Sequence, residues 1–263
     1  MGWLTDRRRR FLVGRPFPPE WRAILGQNVR ACDMLDTDER ARLEQLVQVF
    51  IDEKQWKGCD DKVITDEVRI TIAGMACAML IAREHDLLPG IAEILVYPTT
   101  FTIPADDRVY VNKSRAPRHT LPAGPRQAIA IPHGPLIVAW DAILADGRAV
   151  ADGRNALIHE LARHIDSLDE EYDGTPPLEL RDRLAWRAAF TAAFQARRAA
   201  ASRGEPSLVP EDALASATEY FATTAELFFE KPRELAVELP AVYACLVRYF
   251  GMDLAARAPT PYR

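Results

Sequence analysis

His159 and Glu160 stand side by side in the run Asn155-Ala-Leu-Ile-His-Glu-Leu-Ala-Arg-His-Ile-Asp166. They form the first half of a zinc-hydrolase signature, His-Glu-x-x-His. In that signature both histidines lie on one helical face and hold Zn²⁺, while the glutamate acts as general base. Position i+4 here is Arg163, and the second histidine, His164, comes one residue late. At about 100° per residue, Arg163 lies roughly 40° around the helix from His159, and His164 roughly 140° away, off the metal face. A π-bulge would bring i+5 back into line, and such bulges cluster at functional sites.

A zinc peptidase needs a third protein ligand, usually from a later helix. The stretch Thr218 to Phe229 offers Glu219 and Glu226. Seven residues apart, they share a face but are separated by about 10 Å of rise. One could touch a metal while the other supports it from behind. In the plainer reading both are exposed, while Phe221 and Phe228 face the core. Asp166, seven residues after His159, could orient a side chain at position 163, and a carboxylate there suits an arginine as well as a histidine. His119 and His133 could supply a replacement ligand. His133 reads more simply as a loop histidine in a Pro-His-Gly-Pro turn, and His85 beside Asp86 as a helix-end residue.

The elements that must position these residues follow from pattern. Asp36-Thr-Asp-Glu39 reads as a capping box, with Leu43, Leu46, Val47 and Phe50 behind it at helical spacing. A second helix starts near Thr65 and Asp66, and its run Ile70 to Ala82 is apolar nearly all round, so it should be central. Ile91 to Val96, the segment around Val109 to Val111, Ala128 to Ile131 and Leu136 to Val138 are short and β-branched, and read as a small sheet. Tyr97-Pro98 and His133-Gly-Pro135 mark turns. After Asp152-Gly153 the chain reads as helical: the His159 helix, a long Arg/Ala-rich helix from about Leu178, then helices over Asp212 to Phe229 and Pro232 to Phe250. Pro259 to Arg263 reads as a frayed tail.

At 263 residues, with 48% apolar and 27% charged residues, the chain has the composition of a soluble globular protein. Its net charge of −5 gives no footprint for nucleic acid. The run Arg7 to Arg10 reads as a solvated basic face rather than a contact with an anionic surface. The apolar stretch after it is too short for a signal peptide or membrane span. Cys32, Cys59, Cys77 and Cys245 are scattered with no C-x-x-C pair, which fits a reducing cytoplasm. Cys77 and Cys245 lie in apolar helical runs and are expected in the core.

These segments resemble the MtfA-like family of bacterial zinc peptidases, the glucose-regulated metallopeptidases, over nearly the whole chain. The resemblance is carried by Pro18 and Trp21, Ile72-Ala-Gly-Met-Ala-Cys77, Tyr97-Pro98 with Phe101, and Gly134-Pro135 with Trp140. It continues through Asp152-Gly-Arg-Asn155, Ile158-His-Glu160, Asp166 and Gly174-Thr-Pro-Pro-Leu178. It ends with Glu219-Tyr-Phe-Ala222, Glu226-Leu-Phe-Phe229, Pro240-Ala-Val-Tyr243 and Tyr249-Phe250 with Asp253. It implies an α+β, zincin-like fold resembling the lethal factor protease domain, with residues 1–85 as an N-terminal helical part docking on a catalytic-type domain over 86–263. It further implies zinc as cofactor, His159 as first ligand, Glu160 as base, Glu219 as third ligand and a cytoplasmic location. Members also act through protein contacts, one of them on a repressor of glucose-transport genes.

The chain departs from the family pattern in two places. The second histidine is Arg163, with register kept on both sides of it, which favours substitution over insertion. The tyrosine usually found shortly before the ligand glutamate, a candidate oxyanion stabiliser, is missing from Val209 to Thr218. Two functions remain open. In one, the zinc site is lost, Arg163 occupies the space between Glu160, Glu219 and Asp166, and the protein works by binding a partner such as a transcription regulator. In the other, an aminopeptidase-like zinc enzyme survives on an altered ligand set of His159, Glu219 and either His164 or His133, cleaving a peptide substrate.

Overall fold

The computed structural model describes residues 3–82, 87–103, 124–131, 134–149 and 152–257. The expected strand around Val109 to Val111, His85 with Asp86, His119, His133 and the tail from Pro259 lie outside the described residues. The fold is helix-dominated α+β with a small sheet. The chain divides into two compact units, Met1–Ala149 and Val150–Arg263.

The first unit runs α1 (Trp3–Val13), α2 (Pro19–Asn28), α3 (Thr37–Glu53), β1 (Gln55–Gly58), α4 (Asp66–Ala78), β2 (Glu93–Tyr97), β3 (Phe101–Ile103), β4 (Gly124–Arg126), β5 (Ala128–Ala130), β6 (Leu136–Ala139) and α5 (Trp140–Arg148). The capping box starts α3 as expected: the Asp36 side chain accepts from the Asp38 and Glu39 N–H groups, and the Glu39 side chain accepts from the Asp36 N–H. Leu43, Leu46, Val47 and Phe50 are all buried, and α3 stacks on α4. In α4 every residue from Ile70 to Ala78 is buried. The helix stops at Ala78 rather than Ala82, where the last turn tightens and Leu80 N–H reaches Cys77 O at 2.9 Å. The arginine run of α1 is not simply solvated. Arg8 pairs with Asp52 and Arg9 with Glu53, both at 2.6 Å, which ties α1 to α3.

The sheet has the order β1-β2-β6-β5, with β1, β2 and β6 parallel and β5 antiparallel to β6. Its register sets Ile94 against Leu136 and Val96 against Val138, and all four side chains are fully buried. β3 and β4 form a separate antiparallel pair. Phe101 and Ile103 of β3 pack with Ile129, Ala139 and Ala142. The pattern of residues had not indicated β1, β3 or β4.

The second unit, over its described residues, is helical: α6 (Ala156–Asp166), α7 (Leu180–Ser202), α8 (Ala217–Glu230), α9 (Pro232–Glu238), α10 (Pro240–Phe250) and α11 (Leu254–Arg257). Two boundaries differ from expectation. A 3-10 turn, Glu211–Ala215, precedes α8, which starts only where Ser216 can cap it. The single helix expected over Pro232 to Phe250 is broken at Pro240. That residue has no N–H to donate and its ring excludes the carbonyl four residues back, so it serves instead as the first residue of α10. Cys77 is buried, but Cys245 is only partly so and not a core residue.

Trp186 centres the core of this unit. It stacks on Phe190 at 4.3 Å and meets Phe221 and Tyr249 edge-on at 5.3 and 5.7 Å. Its indole N–H donates to Gly174 O at 2.8 Å. Gly174 has φ +75°, and a Cβ there would lie 2.5 Å from Ala217 O, so only glycine fits. Among the described residues no helix is long and apolar enough to cross a membrane.

Candidate functional site

Helices α6 and α8 lie against each other, and polar groups fix their mutual register. Asn155 caps α6: its side chain accepts from Ile158 N–H at 3.1 Å and donates to Glu230 Oε1 at 3.1 Å. The Asn155 backbone N–H donates to Glu226 Oε1. Two carboxylates one turn apart on α8 thus meet the positive end of α6. Ser216 caps α8 by accepting from Glu219 N–H at 3.1 Å, which fixes Glu219 in its first turn. The adjoining Thr218 hydroxyl lies 2.7 Å from Asp166 Oδ2 and 2.9 Å from Tyr172 O.

These anchors bring five charged or ionisable side chains into one chain of contacts. His159 Nδ1 lies 3.2 Å from Glu226 Oε2, and His159 Nε2 lies 3.2 Å from Glu219 Oε2. The other oxygen of Glu219, Oε1, is 3.2 Å from Arg163 Nε. Arg163 Nη1 is 3.4 Å from Glu160 Oε1. The order Glu226–His159–Glu219–Arg163–Glu160 alternates in sign once the imidazole is protonated. Burial alone would lower the His159 pKa. Its hydrogen bonds to Glu219 and Glu226, with the charges of Glu226 and Glu160, outweigh that and push it up to about 10. With both ring nitrogens donating, the ring holds the two carboxylates apart as a cation.

His159, Glu160, Arg163, Glu219 and Glu226, singled out in the sequence, therefore come together. His164 and Asp166 do not join them. Helix α6 is regular from Ala156 to Asp166, with no bulge to turn His164 towards the group, and His164 is buried elsewhere. Asp166 is fully buried and turned to Thr218 rather than to Arg163. Burial pushes its carboxyl pKa up, against hydrogen bonds from Thr218 and the Gly174 backbone. The residues that the pattern left unassigned are Asn155 and Glu230. Their signals were an Asn directly before the first helical residue and a second carboxylate four residues after Glu226.

The family profile described as glucose-regulated metallopeptidase M90 matches residues 3–251. The chain belongs to this family. An uncharacterized protein of Synechocystis sp. is 34% identical over 255 residues, covering 95% of this chain and 90% of the relative. Mlc titration factor A of Edwardsiella ictaluri is 30% identical over 227 residues, covering 83% of this chain and 82% of the relative. Mlc titration factor A of Pectobacterium atrosepticum is 26% identical, covering 85% and 83%.

Membership of the glucose-regulated metallopeptidases implies a metal, typically zinc. Two ligands on a tetrahedral zinc, with bonds of about 2.0–2.1 Å, stand roughly 3.4 Å apart. The 3.2 Å between His159 Nε2 and Glu219 Oε2 is close to that spacing. The next position along the face is Arg163, whose guanidinium has five N–H groups and no lone pair to give a metal. Among the described residues, no three His, Cys, Asp or Glu side chains are grouped to hold a metal ion.

Proposed function

We propose that this member of the glucose-regulated metallopeptidases keeps a zincin-like fold but has exchanged zinc hydrolysis for protein binding. The carrying observation is the guanidinium of Arg163 set between Glu219 and Glu160, at 3.2 and 3.4 Å. In an active relative these two glutamates would serve as third ligand and general base. Here both carboxylates engage a permanent cation. Three protein ligands are the rule for a catalytic zinc, and His159 with Glu219 supplies two. Among the described residues, those at this position do not fit a resident zinc.

The chain's own residues supply a surface cross-linked by ion pairs instead. Glu226 and Glu230 hold the start of α6, and His159 and Arg163 tie its face to α8. Relatives are named for titrating Mlc, which supports a protein partner, with a transcription regulator as one candidate class. Four free cysteines support a reducing, cytoplasmic setting.

The 3.2 Å spacing of His159 and Glu219 supports a second reading, a zinc peptidase on an altered ligand set with Glu160 as base. It needs a third ligand, and His164 on an unbroken helix points away. Elemental analysis separates the two. Protein offered equimolar Zn²⁺ and then desalted should retain little of it and show no chelator-sensitive peptidase activity. Stoichiometric zinc, with hydrolysis abolished in Glu160→Gln, would overturn the proposal.

A further inference from the structure

A concavity of about 280 Å³ lies between α7 and the first turn of α8, away from the charged chain of contacts. Ala217 and Tyr220, three residues apart, face it, whereas Glu219 projects from the helix about 200° around from Ala217. Its floor is aromatic: Phe190 and Phe194 each meet Tyr220 edge-on, with centroids at 6.3 and 5.3 Å. Thr175 and Thr191 add hydroxyls at the walls. The cavity has room for one large apolar side chain.

A neighbouring loop is acidic. The loop Asp169-Glu170-Glu171-Tyr172-Asp173 places four carboxylates in five residues. Two guanidiniums answer them: Arg183 lies 3.8 Å from Asp169, and Arg187 lies 3.0 Å from Glu171 and 2.6 Å from Asp173. Carboxylates remain in excess. The same loop is strained, with Glu170 at φ 66° and Tyr172 at φ 49°, a region that residues with a Cβ rarely enter. Such strain is kept where the surroundings hold it, and it clusters at binding sites.

One face of α7 leads to the concavity, with two leucines at its start and lining residues of the cavity at its end. Leu180, Leu184, Arg187, Thr191 and Phe194 follow one another at i+4 and i+3 along one face of α7, over about 21 Å. Leu180 is 72% exposed and Leu184 63%. On a helix end otherwise covered with charges, two such leucines one turn apart make an uncovered apolar patch, with Arg187 between it and the cavity.

We propose that the concavity and this face of α7 form a docking site for a polypeptide segment carrying an aromatic or large aliphatic side chain beside basic residues. The apolar side chain enters the aromatic cavity. The basic neighbours meet the acidic loop, and further apolar residues cover Leu184 and Leu180. The charge of the neighbouring loop selects this partner over an acidic peptide, for which Glu170 and Glu171 are repulsive. The inference rests on the reading of this chain as a protein-binding relative of the peptidases and names the chemistry of what it binds.

The test uses the full chain labelled with ¹⁵N and three blocked tripeptides: acetyl-Arg-Phe-Arg-amide, acetyl-Arg-Ala-Arg-amide and acetyl-Glu-Phe-Glu-amide. The first should shift the amides of Gly174, Thr191 and Ala217 and bind at least tenfold more tightly than the other two. Thr191→Trp, at an exposed position of the cavity wall, should fill the cavity and lower binding of the first peptide at least tenfold. Glu170→Lys, on the exposed loop, should weaken the same peptide without weakening the acidic one. Equal binding of the three peptides, shifts elsewhere, no binding at millimolar peptide, or wild-type affinity in both variants would each overturn the proposal. The outcomes stay separate from the metal question: a zinc-loaded chain that selects the basic aromatic peptide breaks only the earlier reading, and a zinc-free chain that selects none breaks only this one.

Discussion

Arg163→His tests the exchange of metal for guanidinium most directly. It removes two ion pairs, at 3.2 Å to Glu219 and 3.4 Å to Glu160. Unit charges about 3.3 Å apart attract by roughly 5 kcal/mol at an effective dielectric constant near 20. The Arg163 side chain is 36% exposed, so solvent screening and desolvation leave much less. About 0.5–1 kcal/mol per pair is the reasonable net figure, or about 1–2 kcal/mol for both. Without metal the variant should therefore be less stable than wild type by that amount, with Glu160, Glu219 and Glu226 left crowded around His159. With zinc the order should reverse. Position 163 would then offer an imidazole on the face of His159, completing a His–His–Glu set. At free zinc about 100-fold above the dissociation constant, binding adds about 2.7 kcal/mol. Urea unfolding of both proteins, with zinc and with chelator, gives four stabilities. Wild type should ignore zinc, while the variant should gain more from it than the substitution cost. A folded variant that takes up no zinc would refute the idea that Arg163 alone separates this chain from a metal-binding site.

Other consequences are independent of zinc. Asn155→Ala removes the cap of α6 and its link to Glu230, and should cost about 1–2 kcal/mol in urea unfolding; a loss under a few tenths would mean α6 is not held from its start. ¹⁵N NMR of the imidazole should find His159 doubly protonated at pH 8, since Glu219 and Glu226 hold its pKa up to about 10. Its folded pKa lies above the unfolded value of about 6.5, so its contribution to stability is whole below that pH and is lost as pH rises towards 10. His159→Gln should flatten that decline, and a neutral ring at pH 8 would disprove the alternating chain of charges. Gly174→Ala places a Cβ 2.5 Å from Ala217 O at φ +75° and should cost about 1–3 kcal/mol or more; an unchanged urea midpoint would show that the 170–174 loop relaxes freely.

Those features of the site that depend on helix period were legible in the sequence. The spacing of His159 and Arg163 set them about 40° apart on one face, and the seven-residue spacing of Glu219 and Glu226 matched two contacts with one histidine ring. Features set by tertiary partners were not legible. Asp166 lies on the face of His159 by count, but Thr218 on α8 offers a nearer hydroxyl and the carboxyl turns to it. In the fold, α3 and α4 were plain from a capping box and a continuous apolar run. β1 was not, because Gln55-Trp-Lys-Gly58 is only four residues long, has no β-branched residue and ends in glycine, and it is a strand because β2 pairs with it. The break at Pro240 was written in the sequence, but the apolar spacing on both sides of it masked the signal.

Charge explains why an arginine can stand at position 163 without loss of the fold. Glu160, Glu219 and Glu226 converge from two helices at partly buried positions, and carboxylates so placed are costly unless paired. A zinc ion would bring two positive charges. The guanidinium of Arg163 and the imidazolium of His159 bring one each, through contacts of 3.2–3.4 Å. A neutral residue at 163 would leave Glu219 and Glu160 without a shared cation, while arginine bridges them and needs no metal. The proposed exchange of metal for guanidinium would therefore keep two positive charges between α6 and α8 while removing the lone pair that metal chemistry requires.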